Sequence, residues 1–424
     1  MLTLAQLRNQ TEWVIRGLEK KNIPAAAEKV KEILQADDRR KNAQKEGDTV
    51  KAKINTLSKN VGELMRSGQQ DAAQVIKLET IQFKEAEKKL TEELADAEQQ
   101  VYELLIQLPN VPHLTVPSGK NADDNEIIRT SGTIPKLHLQ AKPHWELAKQ
   151  YNIIDFELGV KLTGAGFPVY KGSGAILQRA LISFFLQQAQ QSGYTEIQPP
   201  ILVNAQSGFA TGQLPDKDGQ MYFANADELY LIPTAEVPIT NIYRDVILNY
   251  TELPIKNCGY TPCFRREAGS YGKDVRGLNR LHQFDKVEIV QITEPDKSYG
   301  VLDEMVLHVS QLLDRLQLPY RIVKLCGGDM SFASALTFDF EVFSAAQERW
   351  LEVSSVSNFE TFQTNRLKCR YKDSQGKTQL AHSLNGSALA LPRIVAALLE
   401  NNQTPEGIYI PEVLQPFTGF NMIS

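Results

Sequence analysis

Residues 264–272 read FRREAGSYG and residues 280–288 read RLHQFDKVE, and these two segments decide the fold of the second half of the chain. They predict two strands, Asn257–Arg266 and Leu281–Val290, because apolar and polar residues alternate on either side of a long polar stretch. The stretch between them is the loop that joins the two strands.

Side chains alternate between the two faces of a strand, so Phe284, Lys286 and Glu288 share one face of the second strand. With the paired Arg265 and Arg266 at the end of the first strand, this face presents guanidinium groups, an aromatic ring and a carboxylate. Such a set suits an anionic ligand that carries an aromatic base. A solvated hairpin with surface charges is the alternative, since most charged runs are exposed.

The chain has 424 residues and a net charge of -5, which allows two or three domains and excludes a uniformly basic surface. Local basic patches that bind RNA remain compatible with this charge. The four cysteines form no C-x-x-C pair, and the six histidines have no ligand spacing. We therefore expect reduced, structural thiols and no zinc site.

The N-terminus becomes polar within ten residues, which predicts that no signal peptide is present. No apolar run approaches the roughly 18 residues that a membrane span needs. The expectation is a soluble, cytoplasmic protein without a membrane partner.

The first 108 residues predict a helical arm, since they are rich in helix-forming residues and contain a single proline, Pro24. We expect a short helix over residues 4–20 and two long helices over about 25–65 and 70–108. The turn RSGQ at residues 66–69 separates the long helices. Their apolar side chains follow the heptad spacing 4-3-4-3: Val50, Ile54, Leu57, Val61 and Leu64 on the first, and Leu90, Leu94, Ala97, Val101 and Leu104 on the second. The pattern predicts an antiparallel coiled coil about 55 to 60 Å long.

Charge is distributed unevenly along this arm. Residues 39–59 carry seven basic and two acidic side chains, whereas residues 71–103 carry four basic and nine acidic ones. Charge pairing between the two helices is one interpretation, and a stripe that faces nucleic-acid phosphates is the other. The candidate stripe consists of Arg39, Arg40, Lys41, Lys45, Lys51 and Lys53.

Three prolines and the polar run 120–125 indicate a linker after the arm. From residue 136 onward, short alternating runs intermix with helical patterns, which is typical of an α+β body. We find no G-x-G-x-x-G or G-x-x-x-x-G-K-[ST] segment, so neither a Rossmann nor a P-loop nucleotide site is supported. The predicted organisation is an N-terminal arm domain at 1–110, with its hairpin at about 25–108, then a linker at 111–135 and a catalytic domain at 136–424.

Five segments of the body carry a resemblance to a known family. They are GAILQRALISFF at 174–185, TAE at 234–236, the strand pair at 257–290, EVSSVSNF at 352–359 and NGSALALPR at 385–393. The first, third and fifth resemble motifs 1, 2 and 3 of class II aminoacyl-tRNA synthetases. With the other two and the helical arm, the whole chain resembles bacterial-type seryl-tRNA synthetases. The resemblance implies an antiparallel β-sheet flanked by helices behind the coiled-coil arm, and a homodimer.

The resemblance also implies a function: ATP and L-serine form seryl-adenylate, and the seryl group then passes to the 3' end of tRNA(Ser). Charging of tRNA(Sec) as well is left open. Arg265 would hold the α-phosphate, Arg393 the γ-phosphate and Glu267 the adenine amine, while Phe284 would stack on the base. The implied ATP site as a whole is Arg265, Arg266, Glu267, Arg280, Leu281, Phe284, Glu352, Val353, Ser354, Ser355 and Arg393.

The same resemblance implies that Glu352 and Ser355 position a magnesium ion, and that Arg265, Arg393 and Glu352 are the catalytic residues. Thr234 and Glu236 would bind the amino group of serine, while Glu288 and Ser387 would bind its hydroxyl. The implied serine site as a whole is Thr234, Ala235, Glu236, Arg265, Glu288, Asn385 and Ser387.

These residue types fit the chemistry. A carboxylate attacks the α-phosphorus in line and releases pyrophosphate, so guanidinium groups and magnesium must offset the repulsion between two anions. A pocket that hydrogen-bonds a hydroxyl rejects the analogue without it by roughly 10⁴ to 10⁵. That would exclude alanine, and a tight pocket would have to exclude threonine by its extra methyl group. No segment of the chain is left over for an editing domain, so we expect no hydrolytic proofreading site. The sequence departs from the family's usual residues at Arg266, often serine, and at Pro392, often glycine, although proline suits the first turn of a helix.

Two other functions compete. A synthetase-like ligase could charge a carrier other than tRNA, although such relatives typically lack the arm. A coiled-coil assembly factor with an inert body would consume no ATP. Taken singly, Phe284 could be a core aromatic, and Thr234 and Ser387 could be helix caps; their joint order along the chain favours the synthetase.

Overall fold

The computed structural model describes residues 1–216, 219–267 and 276–424, and within them the chain forms two compact units. Residues 1–19 and 23–109 make up the first unit, and residues 20–22 and 110–424 make up the second. The central part of the predicted hairpin loop, Ala268–Gly272, lies outside the described residues.

The first unit is helical. It consists of α1 (Leu4–Asn9), α2 (Thr11–Lys20), α3 (Ala26–Arg66) and α4 (Gln70–Leu105). The single helix predicted over residues 4–20 is wrong, because the backbone leaves the helical region at Gln10, where φ is -135°. A capping box at Thr3 starts α1, and Leu7, Val14 and Leu18 from both short helices are buried.

The two long helices form the predicted antiparallel coiled coil. At 1.5 Å per residue, α3 with 41 residues and α4 with 36 span about 60 Å and about 55 Å. The predicted apolar seams are confirmed, since all ten of their side chains are buried or half-buried, with Ile54, Ala97 and Val101 buried. Gly68 takes a φ of +79° in the turn between them, a conformation that favours glycine.

The second unit is built on a mixed set of strands and helices. Its strands are β1 (Glu126–Ser131), β2 (Ile154–Asp155), β3 (Val169–Tyr170), β4 (Thr195–Glu196), β5 (Leu202–Val203), β6 (Phe223–Ala224), β7 (Leu229–Leu231), β8 (Ile247–Asn249), β9 (Ile255–Phe264), β10 (Gln283–Thr293), β11 (Tyr320–Lys324), β12 (Leu336–Ser344), β13 (Arg349–Glu360), β14 (Arg370–Lys372), β15 (Thr378–Leu380), β16 (His382–Ala390), β17 (Ile408–Tyr409) and β18 (Met422–Ile423). Its α-helices are α5 (His144–Gln150), α6 (Phe156–Leu162), α7 (Gly172–Gln191), α8 (Ala205–Thr211), α9 (Glu236–Asn241), α10 (Ser298–Arg315), α11 (Thr361–Leu367), α12 (Leu391–Asn401) and α13 (Gln415–Thr418).

One eight-stranded sheet organises this unit, with strand order β1-β11-β12-β13-β16-β10-β9-β4. Neighbouring strands run antiparallel, apart from β4, which pairs in parallel with β9. Helices α7, α10 and α12 pack on the sheet around a core that includes Phe185, Phe340 and Val356. The predicted α+β class, a helical arm followed by an antiparallel sheet with flanking helices, is confirmed.

The side chains of strand β10 alternate between the two faces of the sheet, as predicted. Val287 and Ile289 point into the main core, whereas Val290 packs against Ile239 of α9 on the opposite face. The strand bounds differ from the prediction: β9 covers Ile255–Phe264 rather than Asn257–Arg266, and β10 covers Gln283–Thr293 rather than Leu281–Val290. The extra residues pair in the ladders of β10 with β9 and with β16, which local alternation in sequence does not delimit.

The sequence after the NGSALALPR segment predicts a helix over Ile394–Asn401, and helix α12 begins three residues earlier than this, at Leu391. Pro392 lies in its first turn, where the missing N–H costs no hydrogen bond, so the expected place for this proline is confirmed. Arg393 is therefore part of the helix. All four cysteines are free and buried, as expected for structural thiols. None of the helices in the described ranges is both long and apolar enough to cross a membrane.

Candidate functional site

The predicted phosphate-binding residues gather at one end of the central strands. Arg265 follows the last residue of β9, and Phe284 lies opposite Cys263 at the start of β10. Ala390, the last residue of β16, lies opposite Lys286, so Arg393 follows the same end of the sheet. The antiparallel register thus brings together residues more than 100 positions apart in sequence.

Arg265 is exposed, and its guanidinium carbon lies 5.2 Å from the centre of the Phe284 ring. Its backbone N–H donates to the carbonyl of His282 at 2.9 Å, which extends the β9–β10 pairing beyond the strand ends. The His282 ring in turn contacts the Tyr222 hydroxyl at 2.8 Å and stacks on Phe167. The start of the loop is therefore fixed by aromatic packing that sequence reasoning did not identify.

Arg393 lies at the start of α12 and donates two hydrogen bonds to backbone carbonyls. Its Nε reaches the carbonyl of Asn279 at 3.0 Å, and its Nη1 reaches the carbonyl of Glu352 at 2.5 Å. The Glu352 carboxylate lies 3.7 Å from the same Nη1 and is half exposed. Helix α12, strand β13 and the segment before β10 thus converge on this guanidinium.

The remaining predicted ATP residues take different positions. Arg280 and Glu267 form an ion pair at 2.6 Å, whereas the Arg266 side chain is exposed and its backbone N–H donates to Gln220. Leu281, Val353 and Ser354 are buried. The Ser354 hydroxyl donates to the backbone carbonyl of Ser387 at 2.6 Å, so it joins β13 to β16.

Ser355 lies opposite Asp339 in the β12–β13 ladder, three residues after Glu352 on the same strand. The Asp339 Oδ1 atom is buried and has no hydrogen-bond partner among the described residues. Burial, together with the negative charge of Glu352, raises the pKa of Asp339 well above its usual value. This corner of the site therefore holds an excess of carboxylate oxygen.

The predicted serine-site residues form a buried polar pocket. Glu288 lies opposite Ser387 in the β10–β16 ladder, and Asn385 lies opposite Val290 two residues further along. Six residues of this set are buried. They come from α9, the loop before it, β10 and β16: Thr234, Ala235, Glu236, Glu288, Asn385 and Ser387. Arg265, which was also assigned to this set, lies at the exposed end of β9.

Lys286 contacts two residues of this pocket, Thr234 and Glu288, and was absent from the predicted site. Its Nζ donates to the Thr234 hydroxyl at 2.9 Å and lies 2.7 Å from a Glu288 carboxylate oxygen. The Thr234 hydroxyl donates to the same carboxylate at 3.3 Å. Lys286 shares a strand face with Glu288, so the period-two pattern contained the signal that would have identified it.

Gln363 of α11 is a second residue that the sequence did not reveal. Its Nε2 donates to the Glu236 carboxylate at 2.6 Å, and its Oε1 accepts from Ser383 at 2.8 Å. Burial, followed by the negative charge of Glu288, raises the pKa of Glu236 to about 7. A nearby cation would stabilise the charged form of a buried carboxyl with this pKa.

No three His, Cys, Asp or Glu side chains lie close enough to hold a metal ion anywhere in residues 1–216, 219–267 and 276–424. A magnesium ion differs in its needs, since it keeps several waters and takes few protein oxygens. Glu352, Ser355 and the unpartnered Asp339 oxygen match that preference in donor type.

Comparison with known proteins gives consistent matches over the whole chain. Residues 1–112 match the family described as Seryl-tRNA synthetase N-terminal domain, and residues 221–402 match tRNA synthetase class II core domain (G, H, P, S and T). A serine–tRNA ligase of Salinibacter ruber is 51% identical over 100% of this chain and 99% of its own length. One from Prosthecochloris aestuarii is 45% identical over 100% and 99%.

Solved structures give the same result. The seryl-tRNA synthetase of Pyrococcus horikoshii complexed with ATP superposes with a TM-score of 0.95 at 30% identity, covering 100% of this chain and 99% of that one. The cytoplasmic serine–tRNA ligase of Naegleria fowleri in complex with AMP gives 0.90 at 26% identity, with coverage of 100% and 99%.

Proposed function

The chain belongs to the seryl-tRNA synthetase family, and we propose that the end of strands β9, β10, β13 and β16 is where it activates serine with ATP. The overall reaction is the ligation of serine to tRNA, with ATP converted to AMP and pyrophosphate. The observation that carries the placement is the convergence of two guanidinium groups, Arg265 and Arg393, on one end of the sheet beside a buried pocket with two carboxylates.

The phosphates of ATP are proposed to contact Arg265 and Arg393. Both guanidinium groups are planar donors that can bind phosphate oxygens in pairs, and Arg393 is already oriented by two backbone carbonyls. Arg265 lies over Phe284, so the α-phosphate and the adenine ring would meet neighbouring side chains. The Glu267 carboxylate, held by Arg280, would accept from the adenine amine.

Magnesium would be held by Glu352 and Ser355, with Asp339 next to them. The ion supplies positive charge that offsets the repulsion between phosphate oxygens during in-line attack. The excess of carboxylate oxygen at this corner, with Asp339 Oδ1 lacking a partner among the described residues, is the observation that supports a divalent cation. Arg265, Arg393 and Glu352 are accordingly the proposed catalytic residues.

Serine is proposed to occupy the pocket between β10 and α9. Its ammonium would meet Glu236 and Thr234, and its hydroxyl would meet Glu288 and Ser387. Lys286 holds Thr234 and Glu288 in a fixed relation, so the pocket presents its hydrogen-bonding groups before serine arrives. A preorganised pocket of this kind discriminates by leaving buried polar groups unpaired when the hydroxyl is missing.

The ATP site predicts the effect of removing one guanidinium. Arg265→Ala should lower kcat/KM for serine-dependent ATP–pyrophosphate exchange by about 10² to 10³, since a positioned charge in such a site contributes that much. The matched control is Arg315→Ala, at an exposed position at the end of α10, which should leave exchange unchanged. Exchange with all twenty amino acids should be confined to serine. Full exchange activity in Arg265→Ala would refute the proposed site.

The raised pKa of Glu236 predicts how serine binding depends on pH. Below about pH 7 the carboxyl of the free protein is protonated and cannot pair with an ammonium, so the affinity for serine should fall as the pH drops through 7. Above that pH the carboxylate is present and the affinity should level off. Isothermal titration of serine between pH 5.5 and 8.5 measures this.

Glu236→Gln is the matched variant for this experiment. It keeps the shape of the side chain but removes its charge and titration, so it should bind serine more weakly and lose the inflection near pH 7. The affinity for ATP serves as the control, since Glu236 lies outside the proposed ATP site. An unchanged inflection in Glu236→Gln would show that another group titrates.

The arm is proposed to contact tRNA(Ser) through part of the predicted basic stripe. Three members of the stripe bind within the arm: Arg40 and Lys41 pair with the buried Asp37, and Arg39 donates to Gln100. These three side chains are therefore held by contacts within α3 or by an uncharged side chain of α4, and none of these contacts pairs opposite charges between the two helices. The rest of the stripe, further along α3, is Lys45, Lys51 and Lys53, which are exposed. Lys53 lies over Phe83 in a groove of about 930 Å³ that Lys45 also lines.

Charge reversal of Lys45, Lys51 and Lys53 to Glu should raise the KM for tRNA(Ser) at least tenfold, with a weaker dependence on salt. Pyrophosphate exchange should stay unchanged, because it needs no tRNA. Reversal of Lys84, Lys88 and Lys89 on the acidic helix α4 is the control with equal charge change. Normal charging of tRNA(Ser) by the α3 variant would refute the proposed contact between this part of the stripe and the tRNA. The same assay with tRNA(Sec) tests whether that tRNA is also a substrate.

We also propose a cytoplasmic homodimer. Strand β1 forms an edge of the eight-stranded sheet, and Ile127 and Ile128 on it are 53% and 43% exposed. An exposed apolar edge strand is a surface that a second copy can cover. Light scattering should give twice the chain mass of 47.5 kDa, and Ile128→Glu should shift it toward one chain. Val75→Glu, at an exposed site on α4, is the control; a single-chain mass for the unmodified protein would refute the dimer.

A further inference from the structure

A buried polar network lies behind the proposed ATP site and has no part in the function described so far. Its members are His144 of α5, Ser344 of β12, Gln347 in the turn between β12 and β13, and Glu400 of α12. The side chains of His144 and Glu400 are both completely buried. Burying an ionisable pair raises the free energy of the folded state unless its hydrogen bonds are satisfied, so the hydrogen bonds of both side chains matter here.

Glu400 accepts hydrogen bonds from several sides. One carboxylate oxygen accepts from the His144 backbone at 2.9 Å, from its Nδ1 at 2.7 Å and from Gln347 at 2.9 Å, and the other accepts from Ser344. Burial alone would raise the pKa of Glu400, but the hydrogen bonds that it accepts from His144 and Ser344 outweigh this effect and hold that pKa below its usual value. Glu400 is therefore an ionised acceptor.

The neighbours of His144 define its tautomer. Nδ1 faces the Glu400 carboxylate and must donate, whereas Nε2 faces the backbone N–H of Leu278 at 2.8 Å and must accept. The ring is thus neutral and connects a carboxylate on α12 to the backbone before β10. Gly277 packs directly on the ring, since a Cβ added there would lie 2.2 Å from Nε2, and its φ is +69°.

The segment that His144 holds is the one that orients Arg393. Asn279 follows Leu278, and its carbonyl accepts from Arg393 Nε at 3.0 Å. The Asn279 side chain donates to Gln347 at 2.9 Å, and Gln347 donates to Glu400. The network therefore reaches Asn279 by two routes, through the Leu278 backbone and through the Asn279 amide.

Helix α12 links the buried network to Arg393. Arg393 lies in its first turn and Glu400 near its end, so one rigid helix carries both the phosphate-binding group and the anchor of the network. A shift of residues 277–279 relative to α12 would move the carbonyl that aligns the Arg393 guanidinium. Positions of catalytic groups must hold within about 0.5 Å, so such a shift would weaken ATP binding.

We propose that His144 is a positioning residue for ATP: through Leu278 and Asn279 it fixes the carbonyl that orients Arg393. This inference rests on the proposed function, in which Arg393 contacts the phosphates. His144 touches no substrate itself. Its effect should therefore be specific to ATP and should disappear when Arg393 is absent.

Two conservative variants test the hydrogen bonds of the two His144 ring nitrogens separately. In His144→Asn the amide nitrogen takes the place of Nδ1 and keeps the bond to Glu400, but the Leu278 N–H loses its acceptor. In His144→Gln the amide reaches the place of Nε2, and its oxygen can accept from Leu278. The dissociation constant for ATP, by isothermal titration without serine, should rise about tenfold in His144→Asn and less than about twofold in His144→Gln. The dissociation constant for serine should change in neither.

The decisive measurement is the double variant with Arg393→Ala. His144→Asn should weaken ATP binding no further in that background, whereas independent effects would multiply. Unchanged ATP affinity in His144→Asn, or multiplying effects, overturns the inference. If Arg393→Ala itself leaves ATP affinity unchanged, the proposed phosphate site is wrong, which is a separate result. Should His144→Asn fail to fold, Gln347→Leu breaks the second route to Asn279 and should show the same ATP-specific loss.

Discussion

The alternation of side chains along β10 is the constraint on which the site depends. Val287 and Ile289 are buried in the main core, so Lys286 and Glu288 must point to the other face. A shift of register by one residue would place a lysine and a glutamate in the core and leave the serine pocket without its carboxylate. The apolar packing of the sheet therefore fixes where the polar chemistry can occur.

Much of the fold was predictable because its determinants are local. The heptad seams of α3 and α4 and the glycine in their turn depend on residues a few positions apart, and the structure has them where the sequence indicated. Boundaries that depend on tertiary pairing were less accurate. Strands β9 and β10 extend beyond the alternating pattern, and α12 starts before its apolar run, because a neighbouring strand or a proline in the first turn decides these ends.

The residues of the proposed site were likewise predictable only where their signal was local in sequence. Residues carried by sequence motifs, such as Thr234 and Ser387, were predictable as a set, although which of them meet could be known only from strand register. Gln363 and Asp339 had no local signal, because they reach the site through α11 and β12. In the basic stripe, by contrast, the sequence identified the residues but not their contacts within the arm. Composition could not reveal that Asp37, buried at the base of the arm, binds Arg40 and Lys41.

Three buried or half-buried carboxyl groups differ in how many donors surround them, and this difference follows their proposed roles. Glu400 accepts from His144, Ser344 and Gln347, and its pKa lies below the usual value. Glu236 lies beside another carboxylate, and its pKa is raised to about 7. Asp339 has an oxygen without a partner among the described residues, and its pKa is raised well above its usual value.

A carboxylate with its donors in place stabilises the fold, whereas one without them gains when a cation arrives. The structural carboxylate is therefore satisfied by the protein, whereas in the proposed function Glu236 would gain from the ammonium group of serine and Asp339 from a magnesium ion. On this view part of the binding energy comes from carboxyl groups whose negative charge the protein leaves without full compensation. The same reasoning explains why the network at Glu400 can hold Arg393 in place without competing for either ligand.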